Sequence, residues 1–158
     1  MNEPNATVLE SSRGLELGLP RLLLVEDDDD LRTTLADILA QDGYEVVAVG
    51  TGLSALDELE NTRSPTRSEP EFDLVVSDVQ LPGVSGVHLA NSVAAKHRGA
   101  RTILMTSFPS SDVMDEAIRL GVPVITKPFR ADFFRRVVLA TFESASSSPA
   151  VSLEPEDP

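Results

Sequence analysis

The chain has 158 residues, 41% of them hydrophobic and only 4% aromatic, which suits one domain with an aliphatic core. The absence of cysteine excludes disulfides and thiolate metal sites, and a net charge of -13 disfavours direct binding of nucleic acid or anionic membranes. No apolar run approaches the roughly 20 residues of a membrane span, and the first residues lack the pattern of a signal peptide, so we expect a cytoplasmic protein.

Short apolar runs alternate with segments of helical periodicity along most of the chain. The apolar runs predict five buried strands, at residues 21–25, 44–49, 72–77, 101–105 and 122–126. The periodic segments predict five helices, at about residues 29–40, 53–59, 85–99, 111–120 and 130–142. Three further segments are polar, and we expect a disordered arm at 1–19, an exposed extended loop at 61–70 and a disordered acidic tail at 144–158.

A βα unit that occurs five times in succession predicts parallel strands, right-handed crossovers and helices on both faces of the sheet. The sequence therefore predicts an α/β protein with a (βα)5 doubly wound parallel five-stranded sheet.

Polar side chains follow four of the predicted strands at the point where each strand ends. Glu26 and Asp27 follow the first strand, Asp78 the third, Thr106 the fourth and Lys127 the fifth. Because the carboxyl ends of parallel strands meet at one edge of a sheet, we expect these side chains to lie together. Crowded carboxylates favour a hard cation such as Mg²⁺, and an added lysine and hydroxyl suit phosphoryl transfer to a carboxylate.

Four segments occur in order along the chain: Leu-Leu-Leu-Val-Glu-Asp-Asp, Val-Val-Ser-Asp-Val-Gln-Leu-Pro-Gly-Val-Ser-Gly, Ile-Leu-Met-Thr-Ser and Thr-Lys-Pro-Phe. Through these segments the chain resembles the receiver domain of two-component response regulators, of the single-domain chemotaxis-regulator type. The resemblance covers residues 20–143 and all five βα units. The resemblance implies a flavodoxin-like sheet with the strand order 2-1-3-4-5.

The resemblance also implies a Mg²⁺ site beside the phosphoacceptor. Asp27 would bind the metal directly and Glu26 would help through water. Asp78 and the backbone carbonyl of Gln80 would complete the protein ligands.

By the same resemblance, Asp78 would be the phosphoacceptor. Thr106 would bond the phosphoryl group, the small Ser107 would leave room for it, and Lys127 would pair with a phosphoryl oxygen. The resemblance further implies a cis peptide bond between Lys127 and Pro128.

One position departs from the family pattern. Receiver domains usually have Tyr or Phe three residues before the lysine, and Val124 occupies this switch position here. Valine has no ring to swing and no hydroxyl to rebond. We therefore expect phosphoryl chemistry with a different or weaker relay through the face formed by the fourth helix, the fifth strand and the fifth helix.

The last predicted helix contains two adjacent phenylalanines that cannot both face inward. Phe134 continues the core stripe, which leaves Phe133 partly exposed near three arginines, Arg130, Arg135 and Arg136. An aromatic residue among arginines is either plain surface or a contact for a partner or a second copy. Phe133 and Arg136 are therefore the candidate interface residues.

The predicted function is a phosphorylation-dependent signalling switch and not an enzyme with a separate substrate. The chain would accept a phosphoryl group on Asp78 from a sensor histidine kinase, a phosphotransfer protein or a small phosphodonor, with Mg²⁺. It would assist its own phosphorylation and dephosphorylation, bind a downstream protein differently afterwards, and be a monomer or a weak dimer.

Two alternative functions remain open. One is a phosphate-independent interaction module that keeps the receiver fold with an atypical switch at Val124. The other is an aspartyl-phosphate phosphatase of the haloacid-dehalogenase type. Residues 27–29 fit the first part of the motif of that family, but residues 30–31 do not fit the rest. The phosphatase reading also leaves Asp78 without a role.

Overall fold

The apolar runs of the sequence form a parallel sheet with helices on both faces. The computed structural model describes residues 19–61, 72–97, 99–144 and 152–153. The arm expected at 1–19 lies outside these residues except for Leu19, and the loop expected at 61–70 lies outside them except for Asn61. Across the described ranges, no helix is long and apolar enough to cross a membrane.

Strands and helices alternate along the described chain. The strands are β1 (Arg21–Val25), β2 (Glu45–Val49), β3 (Leu74–Asp78), β4 (Arg101–Thr106), β5 (Val124–Thr126) and β6 (Ser152–Leu153). The helices are α1 (Asp29–Gln41), α2 (Gly52–Asn61), α3 (Gly86–Lys96), α4 (Ser111–Leu120) and α5 (Ala131–Glu143).

The strands pair in the order β2-β1-β3-β4-β5-β6, and every pair is parallel. The first five strands follow the order 2-1-3-4-5, so the prediction of a doubly wound, flavodoxin-like fold is confirmed. Since all the strands run in one direction, their carboxyl ends lie at one edge of the sheet.

The sheet has a sixth strand that the sequence analysis did not predict. Ser152–Leu153 pair with β5 inside the tail at 144–158 that was expected to be disordered. The expectation failed at these two residues because a two-residue strand in a polar segment has no periodicity, and its hydrogen-bond partner lies far away in sequence. Of the rest of the tail, residues 145–151 and 154–158 lie outside the described residues.

Two helix layers bury the sheet. On one face, α1 and α5 pack with the side chains of Leu35, Leu39, Phe134, Val137 and Val138 against β1, β3, β4 and β5. On the other face, α2, α3 and α4 contribute Ala55, Leu59, Leu89, Ala90, Val93 and Ala117. Burial of these aliphatic surfaces drives folding, and it fixes the sheet edge on which the polar strand ends meet.

Candidate functional site

Asp78 is the last residue of β3 and lies at the carboxyl edge of the sheet. Its side chain is 9% exposed. The Gln80 backbone N–H donates to Asp78 Oδ1 at 3.0 Å, and Lys127 Nζ donates to Oδ2 at 2.8 Å. Both carboxylate oxygens therefore have fixed partners, which hold the carboxylate in one orientation.

Lys127 follows β5 and reaches across the sheet edge to two carboxylates. Its Nζ lies 2.8 Å from Glu26 Oε2 and 2.8 Å from Asp78 Oδ2. The Lys127-Pro128 peptide bond is cis, as the resemblance implied. Glu26, Asp78 and Lys127 belong to three different strand ends, so only the parallel sheet brings them together.

Glu26, Asp27 and Asp78 form a cluster that fits a metal ion. One carboxylate oxygen from each lies within 4.8 Å of the others. Lys127 gives this group one positive charge against three carboxylates, so an excess of negative charge remains. Glu26 and Asp78 are buried whereas Asp27 is exposed, so the cluster meets solvent at Asp27. All-oxygen ligands with this charge suit a hard cation such as Mg²⁺.

Burial dominates the electrostatics of Glu26. Its side chain is 1% exposed, and desolvation raises its pKa although hydrogen bonds from Lys127 and the Asp28 backbone N–H oppose the shift. The pKa of Lys127 is also raised, but for a different reason. Burial lowers it, and the hydrogen bonds and charges of Asp78 and Glu26 raise it by more than burial lowers it. Lys127 therefore stays charged, and Glu26 binds a proton more readily than a free glutamate.

Thr106 is the buried last residue of β4, next to the carboxylates in the sheet order. Its Oγ1 accepts a hydrogen bond from the Phe108 backbone N–H at 3.0 Å. Ser107, between them, is exposed. The Thr106 hydroxyl is therefore engaged by the loop that follows its own strand.

Two glycines let helix starts approach the site closely. The Gly86 N–H at the start of α3 donates to the Val79 carbonyl at 3.0 Å, and a Cβ on Gly86 would overlap the Asp78 carbonyl oxygen. A Cβ on Gly52, at the start of α2, would overlap the Val84 carbonyl oxygen. Side chains larger than hydrogen would push these helices away from the loop after Asp78.

Arg32 is a residue of the site region that the sequence analysis missed. From the first turn of α1, its Nη1 donates to the Glu26 carbonyl at 2.9 Å, and its Nη2 lies 2.5 Å from Asp29 Oδ1. The guanidinium thereby fixes the loop that carries Glu26 and Asp27. The only sequence signal was an arginine shortly after an acidic run, a pattern that a solvated helix surface shows equally well.

The residues predicted for the switch and the interface lie outside the cluster of acidic residues. Val124 is fully buried in β5 and packs in a cluster with Leu104 and Ala117. Phe133 is half-buried against the core, and Arg136 is exposed on α5. The carboxylates and Lys127 at the sheet edge are therefore separate from the positions proposed to relay the phosphorylation state.

The family of the chain follows from comparison with known proteins. A family model described as the response regulator receiver domain matches residues 22–138. The chain belongs to this family. The resemblance carried by the four sequence segments is thus confirmed, and the cluster of Glu26, Asp27, Asp78 and Lys127 lies within the matched part of this receiver domain.

Curated relatives of the chain include a response regulator and a phosphotransferase. Response regulator protein FleR of Pseudomonas aeruginosa is 34% identical over 140 residues, which cover 85% of this chain and 28% of that protein. Sporulation initiation phosphotransferase F of Bacillus subtilis is 29% identical, covering 75% of this chain and 90% of that protein. The chain thus spans about a quarter of one relative and most of the other.

Solved structures agree with this fold. The non-phosphorylated HemR receiver domain from Leptospira biflexa is 32% identical with a TM-score of 0.66, covering 82% of this chain and 98% of that one. Response regulator protein TrrA from Thermotoga maritima, in complex with Mg(2+)-BeF, is 26% identical with a TM-score of 0.64, covering 78% of this chain and 99% of that one.

Proposed function

We propose that the chain is a phosphorylation-dependent signalling switch that accepts a phosphoryl group on Asp78. The observation that carries the proposal is the single ammonium of Lys127 held between Asp78 and Glu26, in a chain that belongs to the receiver family. A buried carboxylate with a fixed cation beside it is suited to attack a phosphorus centre and to stabilise the charge on its oxygens.

In the proposed reaction, a carboxylate oxygen of Asp78 attacks the phosphorus of a phosphodonor. A bond forms between this oxygen and phosphorus, while the bond from phosphorus to the leaving group breaks. The leaving group is the imidazole of a phosphohistidine or the acetate of acetyl phosphate, and it keeps the bonding electron pair. Lys127 then pairs with a phosphoryl oxygen, and the Thr106 hydroxyl donates to another, with the exposed Ser107 leaving room.

We propose that the carboxylate cluster binds the Mg²⁺ ion this chemistry uses, with the Gln80 backbone carbonyl as a further ligand. Asp27 would ligate directly and Glu26 through water. A bound Mg²⁺ neutralises charge on the transferred phosphoryl oxygens. Support comes from the three carboxylate oxygens within 4.8 Å and from their uncompensated negative charge.

The proposal includes the partners of the switch. A sensor histidine kinase or a phosphotransfer protein would supply the phosphoryl group, and a downstream protein would bind one state better. The cytoplasm is the proposed location because it holds such donors. Phe133 and Arg136 on α5 remain the proposed interface residues, and buried Val124 would relay the signal without an aromatic ring.

The test is the intact mass of the protein after incubation with acetyl phosphate. We expect one phosphoryl adduct that forms with Mg²⁺, disappears with a chelator, and is absent from Asp78→Asn. An adduct that survives in Asp78→Asn would place the chemistry elsewhere. No adduct in protein shown to be folded would favour the phosphate-independent interaction module.

A further inference from the structure

A short strand covers the outer edge of β5. In parallel register, Ser152 lies opposite Val124 and Leu153 lies opposite Ile125. Among the described strands, β5 would be the edge of the sheet without β6. An edge strand presents backbone N–H and C=O groups to any extended segment that fits, so an additional strand can pair with this edge.

The backbone groups of β5 divide between its two neighbours. A β4 N–H donates to the Pro123 carbonyl at 3.0 Å, and the Lys127 N–H donates to a β4 carbonyl at 2.9 Å. Strand residues direct their backbone groups alternately to one side and the other. The backbone groups of Val124 and Thr126 therefore face β6. Leu153, opposite Ile125, is placed to donate its N–H to the Val124 carbonyl and to accept from the Thr126 N–H.

The covered edge belongs to the strand that carries the site lysine. Lys127 directly follows β5. In the same structure its ammonium contacts Asp78 and Glu26, and β6 is paired with β5. A phosphoryl group on Asp78 would have to open the direct contact between Lys127 and Asp78. The same event would therefore act on the end of the strand that β6 binds.

We propose that the segment Ser152–Leu153 is an intramolecular ligand of the β5 edge, and that its release is coupled to phosphorylation of Asp78. The coupling rests on the proposed function, whereas the pairing itself does not. When the segment leaves, the backbone groups of Val124 and Thr126 become the surface that the phosphorylated protein newly exposes.

The small size of β6 suits a reversible contact. Two paired residues supply few hydrogen bonds, and these must offset the entropy lost when the segment is ordered. A contact of this kind is only slightly favourable, so a modest change at Lys127 is enough to shift its population.

The pairing is tested by amide hydrogen exchange in full-length variants. Leu153→Pro removes the N–H that the register directs at β5, whereas Leu153→Val keeps the N–H and the strand propensity. We expect the Thr126 amide, which the register directs at the Leu153 carbonyl, to exchange about twofold to tenfold faster in Leu153→Pro than in Leu153→Val or the unsubstituted protein. Equal rates in the two variants would overturn the pairing, and protection that increases with protein concentration would show pairing between copies instead.

The coupling is tested with beryllofluoride and Mg²⁺ as the phosphoryl mimic. We expect beryllofluoride to speed exchange of the Thr126 amide in the unsubstituted protein. Because coupling is reciprocal, Leu153→Pro should bind beryllofluoride more tightly, by about the factor of two to ten expected for the pairing. Equal affinities in Leu153→Pro and Leu153→Val would overturn the coupling.

The two hypotheses fail in different ways. If beryllofluoride binds no variant and acetyl phosphate gives no adduct, the proposed function and the coupling fall together. The exchange difference between Leu153→Pro and Leu153→Val still decides whether the tail binds β5, because that measurement uses no phosphoryl group.

Discussion

At the scale of single residues, the site depends on one ammonium that serves two buried carboxylates. The Lys127, Glu26 and Asp78 side chains are 15%, 1% and 9% exposed. Charges this far from water cost free energy unless an opposite charge is near. Removal of Lys127 should therefore destabilise the fold as well as impair phosphorylation.

We expect Lys127→Met to lower the free energy of unfolding by about 3 kcal/mol near neutral pH, because it leaves the carboxylates without their cation. The loss should shrink as the pH falls and Glu26, whose pKa is raised by burial, binds a proton, since a neutral acid needs no cation. Urea denaturation at several pH values measures both effects. Lys127→Arg, which keeps the charge, is the control, and equal losses in the two variants at every pH would refute the explanation.

The Thr106 hydroxyl holds the loop that follows β4. Thr106→Val has nearly the same shape but leaves the Phe108 N–H without its partner, so we expect a loss of about 1 kcal/mol. Hydrogen exchange of the Phe108 amide should become faster, and Thr106→Ser, which keeps the hydroxyl, should retain most of its protection. An unchanged exchange rate in Thr106→Val would show that this hydrogen bond is absent in solution.

The sequence was sufficient to predict which side chains meet at this edge of the sheet, because each lies at or directly after the carboxyl end of a strand. Glu26, Asp78 and Lys127 needed only the strand ends and the parallel topology to be placed together. Arg32 could not be predicted, since its contact is with a backbone carbonyl whose direction depends on the folded loop. The contact of Gly86 with Asp78 was hidden for the same reason.

At the scale of elements, Arg101 connects the start of β4 to the end of α5. Its Nη1 donates to the carbonyls of Thr141 and Phe142, with 2.9 Å to Phe142. These carbonyls belong to the last turn of α5, where no further turn of the helix can bond to them. A cation at this position also interacts favourably with the helix dipole.

We expect Arg101→Met to destabilise the protein by about 2 kcal/mol, because it removes charged hydrogen bonds but keeps the aliphatic stem. The loss should be concentrated in the last turn of α5, and amide exchange should be fastest there. Arg136→Met on the exposed face of the same helix is the matched control. Equal effects from both substitutions would rule out this role for Arg101.

Tyr44 and Phe142 join the start of β2 to the same end of α5. Their rings stack with centroids 5.2 Å apart. Burial raises the pKa of Tyr44 above 10.0, with additional increases from the charges of Asp42 and Glu143. A raised pKa in the folded state means that this contribution to stability is complete below pH 10 and is lost as the pH rises through the folded-state pKa.

We therefore expect the unsubstituted protein to lose stability more steeply above pH 10 than Tyr44→Phe, which keeps the ring but cannot ionise. Thermal unfolding between neutral pH and pH 11 measures the difference. Asp42→Asn should soften the decline in part, because it removes one of the nearby charges. Parallel pH profiles for Tyr44→Phe and the unsubstituted protein would contradict the assignment.

Element types were more predictable than element limits. Residues 72–73 looked like strand, but Phe72 is buried beneath the Arg21 guanidinium, 4.9 Å from its ring centroid, and β3 begins at Leu74. β5 begins at Val124 and not at residue 122. Phe72 and Val122 are apolar residues buried outside the strands, and the sequence does not distinguish a buried turn from the end of a strand.

At the scale of the whole molecule, the net charge of -13 works against the compact state. Any salt screens this repulsion and stabilises the fold somewhat. A specific Mg²⁺ site adds a separate effect, because an ion that binds only the folded state stabilises it by mass action. The two effects can be separated only at constant ionic strength.

We expect Mg²⁺ to raise the midpoint of thermal unfolding at constant ionic strength, by about 4 °C at a concentration tenfold above its dissociation constant. The increase should be much smaller in Asp27→Asn, which loses the exposed ligand of the cluster. Differential scanning fluorimetry with NaCl as the balancing salt makes the comparison. The same increase in both proteins would mean that Mg²⁺ stabilises the fold without binding to Asp27.

The loop after β4 is also a suitable position for an introduced tryptophan. The chain contains no tryptophan, and Phe108 is 67% exposed while its backbone amide bonds to Thr106. Phe108→Trp would thus introduce a lone indole with room for its larger ring, attached to the backbone that the Thr106 hydroxyl holds. Movement of that hydroxyl toward Asp78 would then change the emission of a single tryptophan, and the switch could be followed in real time without any external label.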